Sequence, residues 1–149
     1  MSARECRVRA LRLSTLWVAG MLWACASPPE RALLGVWKSD APRTLESMRA
    51  LDGIPADRRA ALERDYYGHL TVEYRADVVR GRMDDGRYDS GYQPYKVVEA
   101  TPEYVVTDEW NEILHEFRRS TTYFDGECIY GWAAEYRYRE YFCRVAPLK

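Results

Sequence analysis

The chain has 149 residues, enough for one domain, with 22 Lys and Arg against 23 Asp and Glu. Four arginines (Arg4, Arg7, Arg9, Arg12) and one acid (Glu5) fall in the first 24 residues, which leaves 18 basic and 22 acidic residues beyond them. That mildly acidic remainder argues against nucleic acid as a partner. Phosphate binding needs concentrated Lys and Arg, and here Arg58-Arg59, Arg118-Arg119 and Arg137/Arg139 are scattered among acids.

Residues 13–24 form a 12-residue stretch without a charge, following the arginines. It is short for a bilayer span, which takes about 20 apolar residues, and has the length of a signal-peptide core. It ends in Leu22-Trp23-Ala24-Cys25, which resembles a bacterial lipobox. The resemblance implies cleavage before Cys25 and diacylglyceryl and acyl (palmitate-type) attachment to it, and two or three chains make anchoring durable. Ala26, rather than Asp, implies an outer-membrane lipoprotein facing the periplasm. Ala24-Cys25-Ala26 also fits ordinary signal cleavage, which would remove Cys25 and release a soluble periplasmic or secreted protein. The expected organisation is a signal peptide over 1–24, a lipidated Cys25 with a Pro28-Pro29 tether over 25–32, and one β domain over 33–149.

Within that domain, residues 33–38 read as a first strand. Residues 43–49 and 56–67 have helical spacing, with Pro42 and Pro55 suited to first turns and Asp52-Gly53 between them. From 69 onward the pattern is β. Leu70, Val72 and Tyr74 alternate with Thr71, Glu73 and Arg75 over 69–75, and 76–83 continues as a partner strand. After a turn-rich loop over 83–91 come a hairpin (95–99 and 104–108), a long strand (113–124) and strands over 127–132 and 138–145. About eight closely spaced strands predict a mainly β fold, an antiparallel barrel with a short helical insert between strands one and two.

Cys6 leaves with the signal peptide and Cys25 carries lipid, so Cys128 and Cys143 remain as an even pair in an oxidising compartment. Asp125-Gly126 predicts a hairpin turn before 127–132. Folding 138–145 back through a turn near Ala134-Glu135 sets Trp132 opposite Arg139, Tyr130 opposite Tyr141 and Cys128 opposite Cys143. A bridge there closes a loop contributing about 3 kcal/mol.

Gly35-x-Trp37 on the first strand, helical material soon after and consecutive antiparallel strands resemble a lipocalin-like barrel. The resemblance implies that Gly35 and Trp37 close the barrel base and that Trp37 packs against an Arg late in the last strand, here Arg144. The chain from Trp37-Lys38-Ser39-Asp40 to its C-terminal Cys143-Arg144-Val145 is also similar to small uncharacterised proteobacterial lipoproteins, which bring no known activity. The chain departs from lipocalins in being short and in carrying its helices after strand one. An eight-stranded barrel is either filled by side chains or holds one small ligand.

No catalytic motif, metal-ligand spacing or phosphate-cradling loop occurs, so neither an enzyme nor a cofactor is expected. Asp84, Asp85 and Asp89 lack the spacing of a calcium loop. His69 falls on the polar side of its strand. His115 alternates with Ile113, Phe117, Arg119, Thr121 and Tyr123, a face that the Asp125-Gly126 turn sets beside Tyr130 and Trp132. His115, Tyr130, Trp132 and Tyr141 are therefore the candidate ligand-lining residues, within a chain whose 12 tyrosines all follow residue 65. The expected function is a membrane-anchored envelope protein binding a small apolar or amphipathic ligand. The alternative is an envelope protein-interaction or structural module without a cavity.

Overall fold

The computed structural model describes residues 31–51, 53–112, 114–133 and 137–146. Cys25, the expected signal peptide, most of the expected tether, Ile113 and the expected turn at Ala134-Glu135 lie outside the described residues. The chain runs β1 (Gly35–Ser39), α1 (Ala41–Arg49), α2 (Ala56–Asp65), β2 (Leu70–Tyr74), β3 (Val78–Met83), β4 (Gln93–Ala100), β5 (Tyr104–Asn111), β6 (Glu116–Asp125), β7 (Cys128–Ala133) and β8 (Tyr138–Ala146). The eight strands close into an antiparallel barrel in which sequence neighbours pair and β1 meets β8. Among the described residues no helix is long and apolar enough to cross a membrane.

The core at one end of the barrel is built on Trp37, which is 2% exposed and packs with Leu33, Tyr74, Tyr95, Val105 and Ile129. Its indole Nε1 donates to the Leu33 carbonyl at 2.7 Å, so the buried N–H is satisfied. The Arg144 guanidinium lies 4.1 Å from the Trp37 ring centroid. It also donates to the carbonyls of Leu34 (2.8 Å) and Ala32 (2.9 Å). The last strand thus ties down the segment leading into the first, and these groups close the base. Partly buried Ala100 and Phe124, from the ends of β4 and β6, complete it.

Helix α1 starts at Asp40, whose side chain accepts from the Arg43 backbone N–H at 3.0 Å, and Pro42 sits in the first turn where no donor is needed. Leu45 and Met48 are buried with Ile54, Tyr67 and Tyr138. The helix lies along β8. The Tyr141 N–H donates to Thr44 Oγ1 (2.9 Å), the Arg139 N–H to Ser47 Oγ (2.8 Å), and the Asp40 N–H to the Tyr141 carbonyl (2.8 Å). Helix α2, by contrast, buries none of its residues fully.

The β7–β8 register pairs Cys128 with Cys143, Tyr130 with Tyr141 and Trp132 with Arg139, and the two cysteines are bonded. Gly126 takes φ 62°, the left-handed conformation that a tight hairpin needs. The long strand expected from 113 begins instead at Glu116. The Leu114 N–H bonds to Asn111 Oδ1 at 2.9 Å and His115 adopts φ 51°, so a side-chain-capped turn ends the ladder there.

Candidate ligand-binding cavity

At the end opposite the Trp37 base, the barrel encloses a cavity of about 700 Å³. The inward residues of β2 and β3 (Leu70, Val72, Val79, Met83) form one wall, and Ile129 and Phe142 form another. Tyr66, from the turn after α2, and Tyr88, from the β3–β4 loop, stand at the mouth with Arg87. Two glycines widen the interior. A Cβ added at Gly131 would meet nothing within 4 Å, whereas one at Gly81 would meet the Tyr88 ring at 3.3 Å.

Ser90, Gln93, Ser120 and Thr122 give the wall neutral polar groups, and Asp65, Arg87 and Glu109 are its charged ones. Glu109 on β5 faces inward, and its Oε1 accepts from the Tyr74 hydroxyl at 3.0 Å and from Thr107 Oγ1 at 2.9 Å. Burial, then the neighbouring Glu109 charge, pushes the Tyr74 phenol well above its ordinary pKa, so it stays a neutral donor. Tyr95 meets Tyr74 edge-on at 5.3 Å and donates to the Arg75 carbonyl at 2.7 Å. On β8, Glu140 shares the inner face with Phe142 and Tyr138 and sits opposite Gly131. Its Oε1 is buried without a hydrogen-bond partner, and burial pushes the carboxyl up to about 7. The nearby Tyr67 and Tyr138 hydroxyls bond to one another.

Of the candidate ligand-lining residues read from sequence, Tyr130, Trp132 and Tyr141 are brought together, but on the outside, and His115 stands apart from them. Ile129 and Phe142 point inward, so Tyr130 and Tyr141 stand on the outer face by alternation. The Tyr130 ring stacks on Tyr123 at 5.1 Å and meets Tyr141 at 5.3 Å; Tyr130 also borders the cavity wall. Arg43 on α1 covers Tyr141 at 4.5 Å, and Arg139 lies 4.9 Å from the Tyr130 ring centroid and 5.3 Å from that of Trp132. Trp132 is 51% exposed. His115 is exposed in the β5–β6 turn, 6.5 Å from Trp110. His115, Trp132 and Tyr141 do not line the cavity, and their assignment as ligand-lining is corrected accordingly.

Gly35, Trp37 and Arg144 lie at the base, and the Cys128–Cys143 bridge lies on the outer face. Each acid of the β3–β4 loop meets a cation. Asp84 pairs with Lys38, Asp85 with Arg87 and Asp89 with Arg80. Sequence reasoning missed Glu109, Trp110 and Glu140. Alternation assigns acids to the solvent side, and nothing in the pattern marks two that turn inward. Tyr74 was readable, since it continues the Leu70 and Val72 face.

Among the described residues, the cavity wall holds two carboxylates, Asp65 at the mouth and Glu109 within, and no histidine or cysteine. Comparison of the chain with family profiles, curated proteins and solved structures found no match.

Proposed function

We propose that this chain is a lipid-anchored protein of a bacterial envelope, held by Cys25 at the outer membrane and facing the periplasm, that carries a small apolar or amphipathic ligand inside its barrel. The cavity carries the reading. Its volume of about 700 Å³ falls in the range of sites that enclose a small molecule, and its walls combine aliphatic and aromatic side chains with polar groups that converge on it. The Gly35-x-Trp37 strand with Arg144 over the indole supports a lipocalin-like arrangement, closed at the base and open at the mouth.

The test is to express the full chain with its own leader, purify it from membranes and analyse an organic extract beside native mass spectra. A stoichiometric small amphiphile, displaced by an added apolar probe, is the expected result. Failure of every apolar probe to bind would refute the reading. Cys25→Ser should abolish incorporation of labelled palmitate and release the protein from the membrane.

A second reading, an interaction module of the envelope, draws on the β5–β6 tip, where Leu114 and Phe117 are 52% and 53% exposed beside Trp110. Crosslinking in cells through that tip separates the two. Capture of one specific protein by a chain that binds no apolar probe would favour the module.

A further inference from the structure

The charges along the inner face and mouth are nearly all matched. Arg87 pairs with Asp85, and Asp65 with Arg64. Arg118 stands directly across from Glu109 in the β5–β6 register, but its guanidinium turns to Glu116 at 3.0 Å and is 60% exposed. Arg144 is held by the Leu34 and Ala32 carbonyls at the base. Glu109 is left. It lines the cavity, and among the described residues no cation pairs with it. Its two bonds come from neutral hydroxyls, and both reach the same oxygen, Oε1.

A carboxylate on an apolar wall is costly unless a cation or several donors compensate it. Tyr74 and Thr107 do part of this and, among the described residues, leave Oε2 without a protein donor. The second inward acid, Glu140, adds to the same sign of charge when ionised, and the gap at Gly131 leaves room beside it. An anionic ligand would meet this field with only Arg87 at the mouth, already paired with Asp85, to receive it. A protonated amine on an apolar body would satisfy both the carboxylate and the aliphatic and aromatic parts of the walls.

We propose that the cavity selects amphiphiles bearing a protonated amine, with the Glu109 carboxylate as the counter-ion. This rests on the ligand-binding reading above and adds the head-group chemistry to it. Tyr74, bonded to Glu109, and Tyr95, its partner in the β4–β5 register, flank the carboxylate on the barrel side.

The experiment is calorimetric titration of the full-length purified protein, in parallel, with dodecylamine, dodecanol and dodecanoate, all below their aggregation thresholds. The expected order is amine, then alcohol, then carboxylate, with the amine at least about tenfold tighter than the alcohol, the scale of one hydrogen bond to a charged group. Glu109→Gln should abolish the advantage of the amine over the alcohol, with the loss of affinity falling mainly on dodecylamine. Tyr74→Phe keeps the carboxylate and removes one of its hydroxyl donors, so it should keep or strengthen the amine preference. This second variant guards against a Gln variant that fails to fold. Dodecanoate binding as tightly as the amine, an amine preference that survives Glu109→Gln, or its loss in Tyr74→Phe would overturn the head-group assignment while the cavity reading stands. Absence of binding by all three probes would remove both.

Discussion

Arg144→Met removes a charge that makes three contacts at once. The guanidinium stacks on Trp37 at 4.1 Å, worth about 1 kcal/mol in a partly desolvated setting. It also donates to the carbonyls of Leu34 and Ala32, at about 1.5 kcal/mol or more for each bond with a charged donor. Met keeps most of the aliphatic packing, and the two carbonyls regain water when the cation leaves. The net loss is therefore about 2–3 kcal/mol rather than the full sum. Urea denaturation followed by far-UV circular dichroism, under non-reducing conditions, measures it. Pairing the change with Trp37→Leu in a double-mutant cycle isolates the stacking, for which we expect a coupling of about 1 kcal/mol. A loss under about 0.5 kcal/mol for Arg144→Met, or a coupling indistinguishable from zero, would refute the view that this arginine locks the base.

Replacing Cys128 and Cys143 together with Ala reopens a loop whose ends are 15 residues apart, and should cost about 3 kcal/mol, seen as a lower urea midpoint that matches the reduced parent. Glu140 carries a pH signature. Its folded pKa of about 7 lies above the ordinary 4.5, so the folded state binds the extra proton and stability falls as pH rises from about 4.5 to 7. Glu140→Gln should remove that fall and gain roughly 2–3 kcal/mol at pH 8 against the parent, with little difference at pH 4. Equal pH profiles for the two proteins would contradict the burial of this carboxyl. Gly131→Leu fills open space within the barrel, so it should leave the thermal midpoint unchanged or raised while weakening any apolar probe at least about tenfold. Undiminished binding would place the ligand elsewhere.

Much of the architecture follows from local pattern. Alternation in Leu70-Thr71-Val72-Glu73-Tyr74, the Asp125-Gly126 turn and the parity that sets Cys128 opposite Cys143 are short-range signals, and each acts through backbone geometry alone. Which side of the sheet faces inward is a different matter. The chain places tyrosines on both faces: Tyr74 and Tyr95 inside, Tyr123, Tyr130 and Tyr141 outside. A side chain with an apolar ring and a polar tip does not declare its side. Helix α1 and Arg43 then bury Tyr141 from outside, so even burial does not distinguish the faces. Glu109 and Glu140 were illegible for the opposite reason. They are strongly polar residues whose inward placement depends on register with distant strands, and that register is set by the whole closed circle.

Strand β8 runs nine residues against the five of β1, and their pairing ends where Ser39 meets Phe142. Beyond that point the Tyr141 and Arg139 N–H groups would be bare, a short open edge of the kind that recruits a strand from another molecule. The Thr44 and Ser47 hydroxyls of α1 occupy those two donors in place of a ninth strand. The helical insert after β1 is therefore a guard against self-association. A chain that lost those two hydroxyls would keep its cavity and its base, yet offer its neighbours a template for β-sheet growth.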